Sequence, residues 1–180
     1  MSIDTIYIGN ANTYQLTDFR DAISGSLESD VTAFASLCVR QSSGGGLWLV
    51  ENVSNASPIV ITSTNHGLVT GQQITIVNVG DNRGAHGTFT ITVIDANNFS
   101  LNGSTGTAAY SQGGEFFPCI QDCAGLPFSL VAPGQYQVDI FGNIGLINNV
   151  TYVMVIYCTG AYRDYYNEID RVTARTRGNN

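Results

Sequence analysis

Short runs of β-branched and aromatic residues, each closed by a glycine- or asparagine-rich turn, recur along the whole chain. They fall at 5–8, 13–19, 46–51, 59–62, 73–79, 88–94, 99–102, 128–131, 135–140, 150–158 and 168–177. The segment 30–40 joins them as an alternating strand. Val31, Ala33, Ala35, Leu37 and Val39 share one face, and Thr32, Ser36 and Arg40 the other. Helical periodicity is hard to find anywhere. So many short strands punctuated by turn signals predict an all-β fold, a sandwich or barrel, because each strand buries one face and needs a second sheet to cover it.

Composition fits that class. Of 180 residues, 43% are hydrophobic, enough for a core, while charged residues make up only 12%, about half the usual share. Asn, Ser, Thr and Gly therefore carry the surface, and they suit turns and strand faces better than helices. The formal charge is −7, and all seven basic residues are arginine. A chain without lysine has no Walker-type phosphate-loop lysine and no Schiff-base amine. With this acidic balance no nucleic-acid partner is expected, since nonspecific binding rests on neutralising many phosphates. The start of the chain has no basic stretch followed by an apolar run, and the apolar run at 150–158 is too short to span a bilayer. We therefore expect no membrane partner, and synthesis in the cytoplasm.

Residues from about 57 to 114 differ from their flanks: no Cys, no Trp, few charges, and dense Thr, Asn and Gly. Polar stretches at 52–57 and 110–115 bound them as linkers. The expected organisation is a discontinuous host domain at 1–55 and 116–180, with a small β domain at 56–115 inserted in one of its loops. Insertion at an exposed turn is tolerated when the inserted ends lie close together.

Within the insert, the run Ile59-Val-Ile-Thr-Ser-Thr-Asn-His-Gly-Leu-Val-Thr-Gly-Gln-Gln-Ile-Thr-Ile is followed by Gly87-Thr-Phe-Thr-Ile-Thr-Val-Ile-Asp-Ala-Asn-Asn-Phe-Ser-Leu-Asn-Gly. This pattern resembles a small β-barrel module found in phage tail and other virion proteins. The module is named for its likeness to the first catalytic-cysteine half-domain of ubiquitin-activating enzymes. The resemblance rests on the Asn65-His66-Gly67-Leu68 turn, Gly71, a paired strand and the closing hairpin at 95–103, and covers about a third of the chain. It implies no catalysis, because the stretch has neither a cysteine nor a nucleotide loop. The host resembles immunoglobulin-like sandwiches encoded among phage head and neck genes. That likeness rests on its opening strands and on Pro133-Gly134-Gln-Tyr136-Gln-Val138, followed by Asn149-Val-Thr-Tyr-Val-Met-Val. Together the two resemblances imply a virion component.

Candidate chemistry is sparse. His66 and His86 sit in glycine-rich turns, and with no Gly-x-Ser-x-Gly elbow a hydrolase triad is not expected. His66 reads as a turn residue, with Gly67 supplying a positive φ. Cys38, Cys119, Cys123 and Cys158 lack the repeated close pairs of a zinc site. The Cys119-x-x-x-Cys123 spacing instead admits a disulfide after release into an oxidising medium. No catalytic residue, metal site or cofactor is expected, and Trp48 reads as core. Two features read as partner-binding. The run Tyr162-Arg163-Asp164-Tyr165-Tyr166 places hot-spot residue types on a loop, where Tyr162, Arg163, Tyr165 and Tyr166 are the candidates. In the last strand, period two puts Arg171, Thr173, Arg175 and Arg177 on one face. Edge protection is one account of these charges, and docking on an acidic neighbour is the other.

The expectation is thus a non-enzymatic, homo-oligomeric virion protein. It would decorate or cement the capsid exterior, with the major capsid protein or other virion subunits as partners. The alternatives are a neck or tail component, such as a head-completion protein, and a carbohydrate-binding adhesion module.

Overall fold

The computed structural model describes residues 5–20, 24–39, 48–141, 144–160 and 167–176. The chain is all-β, with one three-residue 3-10 turn, Arg83–Ala85, among the described residues. The strands are β1 (Thr5–Ile8), β2 (Ala11–Leu16), β3 (Ala33–Val39), β4 (Asn52–Val53), β5 (Ile59–Thr62), β6 (Gln73–Val79) and β7 (Gly87–Val93). They continue with β8 (Asn98–Leu101), β9 (Gly113–Pro118), β10 (Leu126–Pro127), β11 (Ser129–Ala132), β12 (Gln135–Phe141), β13 (Thr151–Cys158) and β14 (Asn167–Thr176). No helix among the described residues is long and apolar enough to cross a membrane.

Contacts divide the chain into two compact units, Met1–Leu37 with Gly125–Asn180, and Cys38–Ala124. The second unit is wider than the 56–115 insert read from composition. Its core explains the difference, because Val50 and Val53 on one flank and Phe116 on the other are buried in it.

The first unit is sandwich-like. One sheet runs β1-β14-β13-β3-β10 and the other β11-β12-β2. Alternation decides which faces meet: Tyr14 and Leu16 on β2, Tyr136, Val138 and Ile140 on β12, and Val172 and Ala174 on β14 are all buried. Asn12 fixes the tight turn between β1 and β2. Its Oδ1 accepts from the Tyr7 amide at 2.8 Å, and its Nδ2 donates to the Tyr7 carbonyl at 3.1 Å. The Tyr136 hydroxyl accepts from the Val31 amide and donates to the Glu28 carbonyl, tying the stretch before β3 to the core. On β3 the expected alternation holds for Ala33, Ala35 and Leu37, but Ser36 is buried as well and Val39 is exposed. Ser36 lies on an interior strand, where its Oγ accepts from the Gly125 amide at 2.8 Å.

The second unit is a small closed barrel. Its strands run β4-β5-β8-β7-β6-β9. The residues just before β4 then pair with β9: the Phe116 amide donates to the Trp48 carbonyl and the Val50 amide to the Gly114 carbonyl, each at 2.9 Å. The chain from Trp48 to Val53 therefore links both ends of the sheet, which leaves few free edges. Inside lie Ile59, Ile61, Ile74, Ile76, Ile91, Phe99, Leu101 and Phe116, each fully buried. Trp48 stacks on Phe116 with centroids 6.2 Å apart, which makes it part of this core.

Candidate functional site

β14 presents the described part of the candidate partner surface. It is an interior strand, parallel to β1 on one side and antiparallel to β13 on the other. It has neighbours on both sides from Thr173 to Thr176, so protection of an edge does not account for Arg175; from Asn167 to Val172, which includes Arg171, only β13 pairs with it among the described residues. Val172 and Ala174 point into the sandwich, each 1% exposed, which turns Arg171, Thr173 and Arg175 outward. Thr173 sits between Thr5 and Thr151 in register, with its hydroxyl 3.3 Å from that of Thr151. Arg171 lies opposite Val153 and Arg175 opposite Tyr7.

Four residues of strand separate the two arginine Cα atoms by about 13 Å. Both side chains are exposed, and among the described residues neither guanidinium has an ion pair or hydrogen bond. The backbone beneath them is pinned: the Asn149 amide donates to the Ala174 carbonyl, the Ala174 amide to Val150, and the Thr176 amide to Asn148 Oδ1. Among the described residues the result is two cations without partners on one face of β14. Tyr162, Arg163, Tyr165, Tyr166 and Arg177, named with them from the sequence, lie outside the described residues.

In the second unit, His66 is engaged within its turn. Its Nδ1 accepts from the Leu68 amide at 3.0 Å and its Nε2 lies 3.0 Å from the Asp95 carbonyl, while the ring meets Phe99 edge-on. The first contact makes Nδ1 the acceptor, so Nε2 carries the proton and donates. Asn65 and Gly67 flank it with φ of 52° and 67°. Asp95 closes the facing hairpin: its carboxylate accepts from the Asn98 side chain and from the Asn97 amide, which together hold its pKa below the ordinary carboxylate value.

None of the four cysteines is in a disulfide, so Cys119 and Cys123, the pair admitted by spacing, are not joined in this structure. Cys119 instead faces Cys38 across an isolated antiparallel bridge. Thr75 Oγ1 lies 3.2 Å from Cys119 Sγ, which also donates to the Phe117 carbonyl. Burial, and then the neighbouring Cys119 thiol, push the Cys38 thiol well above its ordinary pKa. Burial alone pushes Cys158 up to about 11. Among the described residues no group of three or more His, Cys, Asp or Glu side chains is placed to hold a metal ion.

Beside Cys119 opens a polar cleft of about 390 Å³, whose walls include Gln72, Gln73, Thr90, Gln121 and Asp122. Neither the cleft nor the Cys38–Cys119 pairing was readable in the sequence, because both depend on register between strands far apart in the chain. No protein-family model matches the chain, and no curated protein matches it.

Proposed function

We propose that this chain is a non-enzymatic structural subunit of a tailed-phage virion. In this reading it is a decoration protein that binds the head exterior in many symmetric copies and stabilises the shell. The observation that carries the reading is the pair Arg171 and Arg175, exposed and without partners among the described residues, on one face of a strand that is paired on both sides at Arg175. A strand paired on both sides needs no charge to prevent edge pairing, so Arg175, with Arg171 on the same face at fixed spacing, favours docking. Guanidinium groups make planar, multidentate contacts with carboxylates, which suits an acidic face on a capsid subunit. The resemblance of both sequence regions to phage virion modules supports the same class.

Quantitative protein analysis of purified particles tests it. Many copies per particle, distributed over the shell, are expected. Absence from particles refutes the reading, and confinement to one vertex replaces it with a neck or tail role. Changing Arg171 and Arg175 to Ser should lower occupancy and its sensitivity to salt, while thermal unfolding of the free protein stays the same. Unchanged occupancy would remove the docking role.

A second reading, a glycan-binding adhesion module, is favoured by the polar cleft, since amide and carboxylate side chains are good partners for sugar hydroxyls. Saturable binding on a glycan array, abolished by Gln73→Ala, would support it over the first.

A further inference from the structure

We propose that Cys38 and Cys119 form a reversible thiol-oxidation site, closed by a low-molecular-weight disulfide that enters through the cleft at Cys119. Three observations place the reaction there. The two residues are direct cross-strand partners. The Cys119 amide is turned the other way, donating to the Gln73 carbonyl at 2.9 Å, so the Cys38 pairing is of the non-hydrogen-bonded kind. Such pairs bring Cα atoms to about 4.5 Å with side chains on one face, inside the range a disulfide requires. Cys38 is fully buried whereas Cys119 is 8% exposed and lines the cleft, so access is one-sided.

The chemistry is thiol–disulfide exchange in two steps. The Cys119 thiolate attacks one sulfur of the small disulfide and displaces one small thiolate, leaving a mixed disulfide on Cys119. Cys38 then loses its proton and attacks Cys119 Sγ, forming the protein disulfide and displacing the second small thiolate. The two protons released by the cysteines end on the two small thiols, so the protein pair is oxidised by two electrons and the small disulfide is reduced. The burial that raises the Cys38 pKa makes the second step the slow one. The same cross-strand geometry distinguishes Cys38 from Cys123 as the partner. Cys123 follows Cys119 in a local turn, with its amide on the Ile120 carbonyl.

The test incubates the full chain with oxidised glutathione under native conditions, alkylates remaining thiols after denaturation, and maps peptides without reductant. The expected product links Cys38 to Cys119 and leaves Cys123 and Cys158 alkylated. Cys123→Ser should give the same link, and Cys38→Ser should stop at glutathione on Cys119. A Cys119–Cys123 link, a link through Cys158, or four alkylated thiols in the treated wild type would each overturn the proposal. The wild-type and Cys123→Ser maps decide the matter even where Cys38→Ser fails to fold.

Discussion

Asn82 and Gly84 show how single residues hold the barrel. The Asn82 side chain is fully buried; its Nδ2 donates to the Ser54 carbonyl at 3.1 Å and its Oδ1 accepts from the Thr107 amide at 3.0 Å. Asn82→Ala removes both hydrogen bonds to these part-buried backbone groups and should cost about 1–3 kcal/mol, read as a lower urea midpoint. A Cβ on Gly84 would lie 2.0 Å from the Thr105 carbonyl oxygen, a backbone atom that cannot rotate away. Gly84→Ala should therefore destabilise by about 1–3 kcal/mol, or more if the turn must reopen. Asp95 adds a pH dependence. Its pKa is lower folded than unfolded, so its contribution is complete above the ordinary carboxylate range and is lost as pH falls through the depressed value. Urea midpoints of wild type and Asp95→Asn, compared at neutral and strongly acidic pH, should differ at neutrality and converge in acid. The turn at Asn65 to Gly67 was readable because the positive φ of Asn65 and Gly67 restricts residue type locally. Asn82 gave no such signal, since its partners come from loops distant in sequence.

At the scale of elements, the strand runs were legible and their neighbours were not. β1, β5 and β6 begin and end where β-branched clusters do, and most others shift by one or two residues. β4, β9 and β10 have no counterpart among the expected runs, and the expected run at 46–51 forms only an isolated bridge at Leu49 in its described part; at β9, Gly113–Gly114 looks like a linker while Glu115 to Pro118 supplies barrel wall. β14 was recognised as a strand with outward arginines, yet its interior position came from pairing with β1, a partner more than 160 residues away. That pairing makes a specific demand. Without β1, the edge of β14 would be open along Thr173 to Thr176. A chain lacking residues 1–8 should lose the buried Ile6 side chain, at about 2–5 kcal/mol, and gain a tendency to self-associate. Size-exclusion chromatography over a concentration series reads the second effect. A truncated chain that stays monomeric and fully stable would show that β1 does not protect β14.

At the scale of the molecule, the question is which residues make the second unit a folding domain. Composition separates 57–114 from its flanks because that stretch is poor in charge and rich in Thr, Asn and Gly. Closure of the barrel depends on residues that do not share that bias. Trp48 and Val50 hydrogen-bond to Phe116 and Gly114, β4 pairs with β5, and Val50, Val53 and Phe116 fill the core. A fragment spanning 56–115 would lose these side chains, and with the second half of β9 gone, β6 would be left with an open edge from Ile74 to Ile76. It should be collapsed or aggregation-prone, with little near-ultraviolet circular dichroism and no cooperative melting. A fragment spanning 38–124 retains every buried residue of that core and both strands that close the sheet. It should melt cooperatively as an independent domain, because its hydrogen-bonded ring is complete without the rest of the chain. Cooperative melting of the short fragment would mean that the flanks only decorate a core able to close without them. Failure of the long one would mean that the barrel draws its stability from the first unit.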